Sequence, residues 1–331
     1  MKRLLQFSSG LVLSLFVSVS SFAQMSYTCP NPTSSAFTSI IGTGETVGLA
    51  YNVQNNDDAQ TAAIDLEGLS AGFRFYLSGS ATAYRYMGLS VNGWAWFSAT
   101  GGWAAHNYSS LSSPAFSTWV NNFTNVRDAA SFTYKPLLSC FWDDLTLTST
   151  GNSKVVYKMS GAAPNRILTI EWNKVQRYPD FSGAGAASFQ IIIRENPLGG
   201  TNASLISYNY FNEGSFSSAI SASIGILGTC PGDYYSLSNS GASPVASQTI
   251  ETTNISSFAA NNQLYRFTGA VAASGGNDDI CNAIALPYNI NSTCNTTVGT
   301  TKGGTFQALT GVNAASACLT APSNRDVWYT V

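Results

Sequence analysis

The chain has 331 residues and a net charge of −2 at pH 7, with only 10% of its residues charged. So weak a field, without a basic run, excludes capture of phosphate backbones, and nucleic acid is not an expected partner. The many Ser, Thr, Asn and Gly residues, with 16 Tyr and 7 Trp, favour strands and turns over helices and point to an all-β extracellular protein.

Residues 1–24 read as a secretory signal peptide: Lys2 and Arg3 precede an apolar run from Leu11 to Val19, and small residues follow from Ser20 to Ala23. The run is shorter than the ~20 residues that span a bilayer and is diluted by serine. The mature chain is expected to start near Gln24 or Met25, and no later stretch is long and apolar enough to cross a membrane. A secreted or cell-surface location follows.

Residues 25–268 form the first expected module. Strand patterns recur between turn signals at 72–77, 86–97, 137–142, 154–159, 166–172, 188–194, 205–211, 222–227 and 264–268, a spacing that predicts a jelly-roll-like β-sandwich. Phe116, Trp119 and Val120 share a helical spacing, so a short helix is expected over 114–121. The run GAVAASGG at 269–276 reads as a linker, and the abrupt change of character after it marks a domain boundary. Residues 277–331 then read as the start of a second small β-sandwich, since roughly 55 residues make a marginal core and the sequence ends in a strand-like run.

Cysteines at 29, 140, 230, 281, 294 and 318 divide three and three between the modules and contain no CxxC. An odd count per module implies one free thiol in each, a bridge between modules, or partners outside the chain. Cys140, within LLSCFW, reads as a buried free thiol; Cys29–Cys230 and Cys294–Cys318 are the expected pairings.

Few residues suit catalysis. The single histidine, His106, lies in a Gly/Ser-rich turn, where an exposed loop role outweighs acid–base work, and no GxSxG, HExxH or phosphate loop is present. Asp143 and Asp144 follow an apolar strand; neighbours on a strand face opposite ways, so they do not form a glycosidase pair. They are candidate calcium ligands through oxygen, against the more ordinary role of turn hydrogen bonding. Asn55, Asn56, Asp57 and Asp58 make a second oxygen-rich cluster and Asn277, Asp278 and Asp279 a third, neither with EF-hand spacing. No other cofactor is expected. Asp143, Asp144, Glu171 and Asp180 are the carboxylates that a catalytic reading would have to use.

The aromatic residues offer a second kind of site. An unbroken strand through GLSVNGWAWFS puts Leu89, Val91, Ala95 and Phe97 on one face and Trp94 and Trp96 on the other. With Trp103 and Tyr108 from the following loop, that second face would form a platform on which sugar rings stack. A bulge at Asn92–Gly93 would instead turn Trp94 into the core. Trp94 is assigned to the core, as are Trp142 and Trp172, while Trp96, Trp103 and Tyr108 are kept as candidate ligand-binding residues.

The ordered series GFRFYL, LSVNGWAWFS, KPLLSCFWDDL, KVVYKMSGAAPNRILTIEW, ASFQIIIRENPLGGTNASLISYNYF and SASIGIL resembles a β-sandwich module of secreted Bacteroidetes proteins. The stretch NDDICNAIAL, CNTTVG and NRDVWYTV resembles the opening half of a pre-peptidase C-terminal-like domain from the same proteins. The resemblance implies export, with type IX secretion in full-length relatives, and carries no catalytic motif; Asn92, Asp143 and Asp144 match module positions with structural roles.

Together these features predict a non-catalytic binding or adhesion module for an extracellular glycan or cell-surface ligand. The alternatives are an accessory region of a secreted hydrolase or peptidase whose catalytic domain lies outside this chain, and a structural spacer in a surface adhesin.

Overall fold

The computed structural model describes residues 25–269, apart from 26, 30–31, 52–56, 79–81, 106–133, 181–185, 196–203, 215, 217–218 and 230–232, together with 284–285 and 329–330. The helix expected over 114–121 lies outside the described residues. So do His106, Tyr108, Cys230, Cys281, Cys294 and Cys318.

The chain is all-β, as its composition predicts. In order it forms β1 (Tyr27–Thr28), β2 (Thr33–Ser34), β3 (Thr46–Ala50) and β4 (Ile64–Asp65). A single helical turn, α1 (Leu66–Leu69), is capped by Asp65, whose carboxylate accepts from Glu67 N. Then come β5 (Phe75–Tyr76), β6 (Ala83–Tyr84), β7 (Tyr86–Ser90), β8 (Trp94–Ser98), β9 (Leu137–Trp142) and β10 (Leu145–Thr146). The long strands β11 (Lys154–Ser160), β12 (Ile167–Arg177), β13 (Ala187–Arg194) and β14 (Leu205–Asn212) follow. The series continues through β15 (Ser223–Leu227), β16 (Tyr234–Leu237), β17 (Ala246–Ser247) and β18 (Gln263–Gly269). Farther on, β19 (Ile284–Ala285) and β20 (Tyr329–Thr330) pair in parallel.

Two antiparallel sheets carry the fold. The first has the order β1-β18-β14-β13-β12-β11-β3, with β10 joined to β12 and β2 to β18; the second runs β17-β16-β15-β9-β8-β7-β4. Their facing side chains alternate along each strand as the pleat requires. Leu168, Ile170 and Trp172 from β12 and Phe189, Ile191 and Ile193 from β13 meet Met87, Leu89, Ala95, Phe97, Leu138, Cys140, Ile224 and Ile226 of the second sheet in one core. The buried polar groups of that core bond across it. Trp172 Nε1 donates to Ser90 O at 2.8 Å, Tyr208 OH to Gly225 O at 2.7 Å and Tyr210 OH to Cys140 O at 2.7 Å, so these three amphipathic rings are satisfied where they are buried.

Two local irregularities set the faces. The sequence through 86–97 is not one strand but the hairpin β7–β8, with Ser90 paired to Trp94 and a three-residue loop at 91–93 closed by Gly93 at φ 81°. That is the loop in which a glycine takes the left-handed position. Because the loop holds an odd number of residues, parity is kept: Leu89, Ala95 and Phe97 still face the core and Trp94 and Trp96 face away from it. In β12 the register shifts between Trp172 and Val175, with Lys174 at φ 53°. The extra residue returns Val175 to the core and turns Gln176 to the other face.

Candidate functional site

Trp94 and Trp96 share the outward face of the second sheet with Leu137, Trp142, Leu227 and Tyr234, and Trp103 and Tyr134 pack against them. Cross-strand pairing aligns Trp96 with Leu137 and Leu137 with Leu227. The ring centroids of Trp94 and Trp96 are 5.2 Å apart, and those of Trp96 and Trp103 5.6 Å. This cluster corrects the expected platform. Trp96 is 2% exposed and Trp94 fully buried, so Trp96 cannot offer a flat ring to a sugar without the cluster opening. Trp103 is half-buried, with its ring edge-on to Tyr86. The second face is thus a second apolar cluster, and Trp142 belongs to it while Trp172 lies in the inter-sheet core.

Gly88 explains how a strand face accommodates the indole. It stands directly across from Trp96, and a Cβ there would come within 2.0 Å of the Trp96 ring. Gly93 serves a different contact: its carbonyl accepts from the amides of Cys140 and Phe141, and a Cβ would meet Phe141 O at 2.0 Å. The hairpin tip is therefore fixed against the end of β9, and this fixation positions the polar groups that follow.

Those groups gather where β9 ends. Asn92 donates Nδ2 to Asp58 Oδ1 at 2.7 Å and accepts the amide of Leu145 at 2.9 Å. Asp143 is buried; Oδ2 accepts from Ser221 N at 2.7 Å and Oδ1 from Asp144 N at 2.9 Å. Arg177 Nε lies 3.1 Å from Asp143 Oδ1, an ion pair without hydrogen-bond alignment, and its Nη1 donates to Asp144 Oδ2 at 3.0 Å. Burial pushes both carboxyls above their ordinary range, with Arg177 acting in the opposite direction.

Asp57 and Asp58 of the second oxygen-rich cluster arrive at the same place, while Asn55 and Asn56 lie outside the described residues. Asp57 bridges to Thr146, and oxygens of Asp57, Asp58 and Asp144 all lie within 4.8 Å of one another. Burial, then the charges of Asp58 and Asp144, push the Asp57 carboxyl up to about 7. Of the pair singled out as calcium ligands, Asp144 therefore joins an oxygen cluster, whereas Asp143 is taken up by Ser221, Asp144 N and Arg177. Nothing in the sequence marked the convergence, because the two acidic runs are brought together by the pairing of Asp57 with Thr146, which lie far apart in the chain.

Glu171 is fully buried. It accepts from Ser39 Oγ at 2.7 Å, Ile40 N at 2.8 Å and Gln190 Nε2 at 2.8 Å, so its lone pairs tie the segment after β2 to the sheet. Burial raises its pKa in spite of those donors. Cys140 is a fully buried free thiol, donating to Gln190 O at 3.4 Å. Cys29 is also a free thiol, half-buried, so the structure does not form the Cys29–Cys230 bridge.

Residues 26–269 match the family model described as NIDO related, a span that begins beside β1 and ends with β18. The chain belongs to the NIDO-related family. NIDO-related domains are of an extracellular type, which accords with the two-sheet architecture. No curated protein and no solved structure matches the chain. Among the described residues of this NIDO-related chain, no helix is long and apolar enough to cross a membrane.

Proposed function

We propose that this NIDO-related chain is a non-catalytic extracellular binding or adhesion module of a bacterial surface or secreted protein, with a glycan or a cell-surface molecule as its ligand. The observation that carries the reading is the employment of Asp143 and Glu171, two of the four carboxylates that a catalytic reading would have to use. Asp143 is held by Ser221 and Arg177, and Glu171 by Ser39, Ile40 and Gln190. A general acid or nucleophile needs a lone pair or proton facing substrate, and in both residues those oxygens face protein donors.

The signal-peptide pattern of residues 1–24 and the extracellular type of the family support export. The sequence resemblance adds type IX secretion and a following pre-peptidase C-terminal-like domain. Binding of the purified chain to a glycan array and to intact bacterial and host cells tests the reading. Saturable retention without turnover is the expected result. Hydrolysis of a glycan or peptide panel that Glu171→Gln or Asp143→Asn abolishes, with the fold retained, would overturn it.

A further inference from the structure

The acidic cluster has a neighbour that hydrogen bonding within the protein does not explain. Asp57 pairs with Thr146, and Thr146 pairs with Gln176. Directly opposed residues on adjoining strands send their side chains from the same face, and so do residues two apart on one strand. Asp57, Thr146 and Gln176 thus stand in a row, with Asp144 beside Thr146 on that face. Gln176 is fully buried, yet neither its Oε1 nor its Nε2 has a hydrogen-bond partner; Asp57 is 9% exposed, and its Oδ1 has none either. A buried amide left wholly unsatisfied loses its hydration and gains nothing in return. Such a group in a native fold calls for a partner.

We propose that Asp57, Asp58 and Asp144 bind a calcium ion, with the amide oxygen of Gln176 as a further ligand, Asn92 orienting Asp58 and Arg177 orienting Asp144. Every donor in the set is oxygen, and no imidazole or thiolate stands among them, which selects a hard cation over zinc or copper. Three carboxylates whose oxygens lie within 4.8 Å repel one another unless a cation or a proton intervenes. Arg177 is directed at Asp143 and Asp144, so a divalent ion supplies the charge that Asp57 lacks. Calcium, which accepts irregular shells of six to eight oxygens, suits carboxylates and an amide from three separate segments better than magnesium with its strict octahedron. The ion would join the segment before β4, the end of β9 and the end of β12. It acts as a tie between the two sheets, independent of whatever ligand the outer surface binds.

Isothermal titration of the purified, chelator-treated chain with calcium chloride and with magnesium chloride, paired with thermal melts, tests the site. One calcium per chain is expected, bound more tightly than magnesium. At about 10 mM calcium, roughly a hundredfold above a Kd of ~0.1 mM, the melting midpoint should rise by about 5 °C. Asp57→Asn and Asp144→Asn should each weaken calcium binding at least about tenfold while keeping the native circular dichroism spectrum. In chelator, Asp57→Asn should melt no lower than the natural chain, because it removes a repelling charge, and Gln176→Met should do the same, because it removes an unsatisfied amide. A folded natural chain that takes up neither ion, or calcium binding that survives both Asp57→Asn and Asp144→Asn unchanged, would overturn the proposal.

Discussion

Asn92 donates its side-chain amide to Asp58 at 2.7 Å while its carbonyl oxygen accepts the main-chain amide of Leu145. The side chain is fully buried. It therefore links the hairpin tip, the segment before β4 and the start of β10, three pieces of chain that no local signal joins.

Asn92→Ala should destabilise the fold by about 1–3 kcal/mol, because it leaves the Leu145 amide and the Asp58 carboxylate short of a partner. Urea unfolding followed by tryptophan fluorescence measures the change. A loss below about 0.5 kcal/mol would mean that water replaces the amide without cost.

Gly88 and Trp96 provide a test of the second apolar cluster. Gly88→Ala drives a methyl into the indole and should cost about 1–3 kcal/mol through overpacking. Trp96→Phe alone should be destabilising through the cavity it leaves. Together the two substitutions should cost less than the sum of their separate effects, since the smaller ring makes room for the methyl. Simple additivity in a double-mutant cycle by thermal melting would show that Trp96 does not meet Gly88.

Much of the fold is legible in the sequence, and the reasons are local. Alternation in ILTIEW and ASFQIIIR places Leu168, Ile170, Trp172, Phe189, Ile191 and Ile193 in the core, whereas Asn92–Gly93 reads from sequence as part of a strand or as a bulge and is in fact a hairpin tip. The burial of Trp96 is not legible in that way. A strand's pattern separates its two faces but does not say whether the second face meets water or a further apolar layer. The carboxylate site is half legible: Asp57, Asp58 and Asp144 each stand out by residue type, but their meeting depends on Thr146 pairing with both Asp57 and Gln176. Gln176 itself carries no signal, since a glutamine near the end of a strand reads as a solvated residue until the β12 bulge is known.

Glu171 should prove structural. Glu171→Gln replaces one acceptor oxygen by a donor facing Ser39, Ile40 or Gln190 and should cost about 1–3 kcal/mol. Proteolysis within residues 35–45 should quicken at the same time, because the carboxylate holds that segment to β12. Binding of the extracellular ligand should be unchanged in the folded variant. A loss of ligand affinity without faster cleavage would move Glu171 from the scaffold to the binding surface.

The contact at Met25 gives a pH dependence whose sign depends on whether Met25 N is a peptide amide or a chain-terminal ammonium. Asp233 accepts the backbone nitrogen of Met25 at 2.6 Å, and burial raises its pKa to about 6. In a chain that retains Gln24, that nitrogen is an amide and the folded state binds a proton more tightly than the unfolded one. Stability from this group is then fully present below about pH 4, falls as pH rises toward 6 and levels off above it, a change on the order of 2 kcal/mol. Asp233→Asn should remove that slope, since its oxygen still accepts from Met25 and no charge forms. A chain that begins at Met25 instead places an ammonium against Asp233. The pair would hold the carboxyl ionised, and stability from it would be lost as pH falls. Melting the two chains and their Asp233→Asn variants between pH 4 and 7.5 should therefore yield slopes of opposite sign, each abolished by the substitution. Equal slopes in both chains would show that Asp233 does not sense the charge on Met25 N.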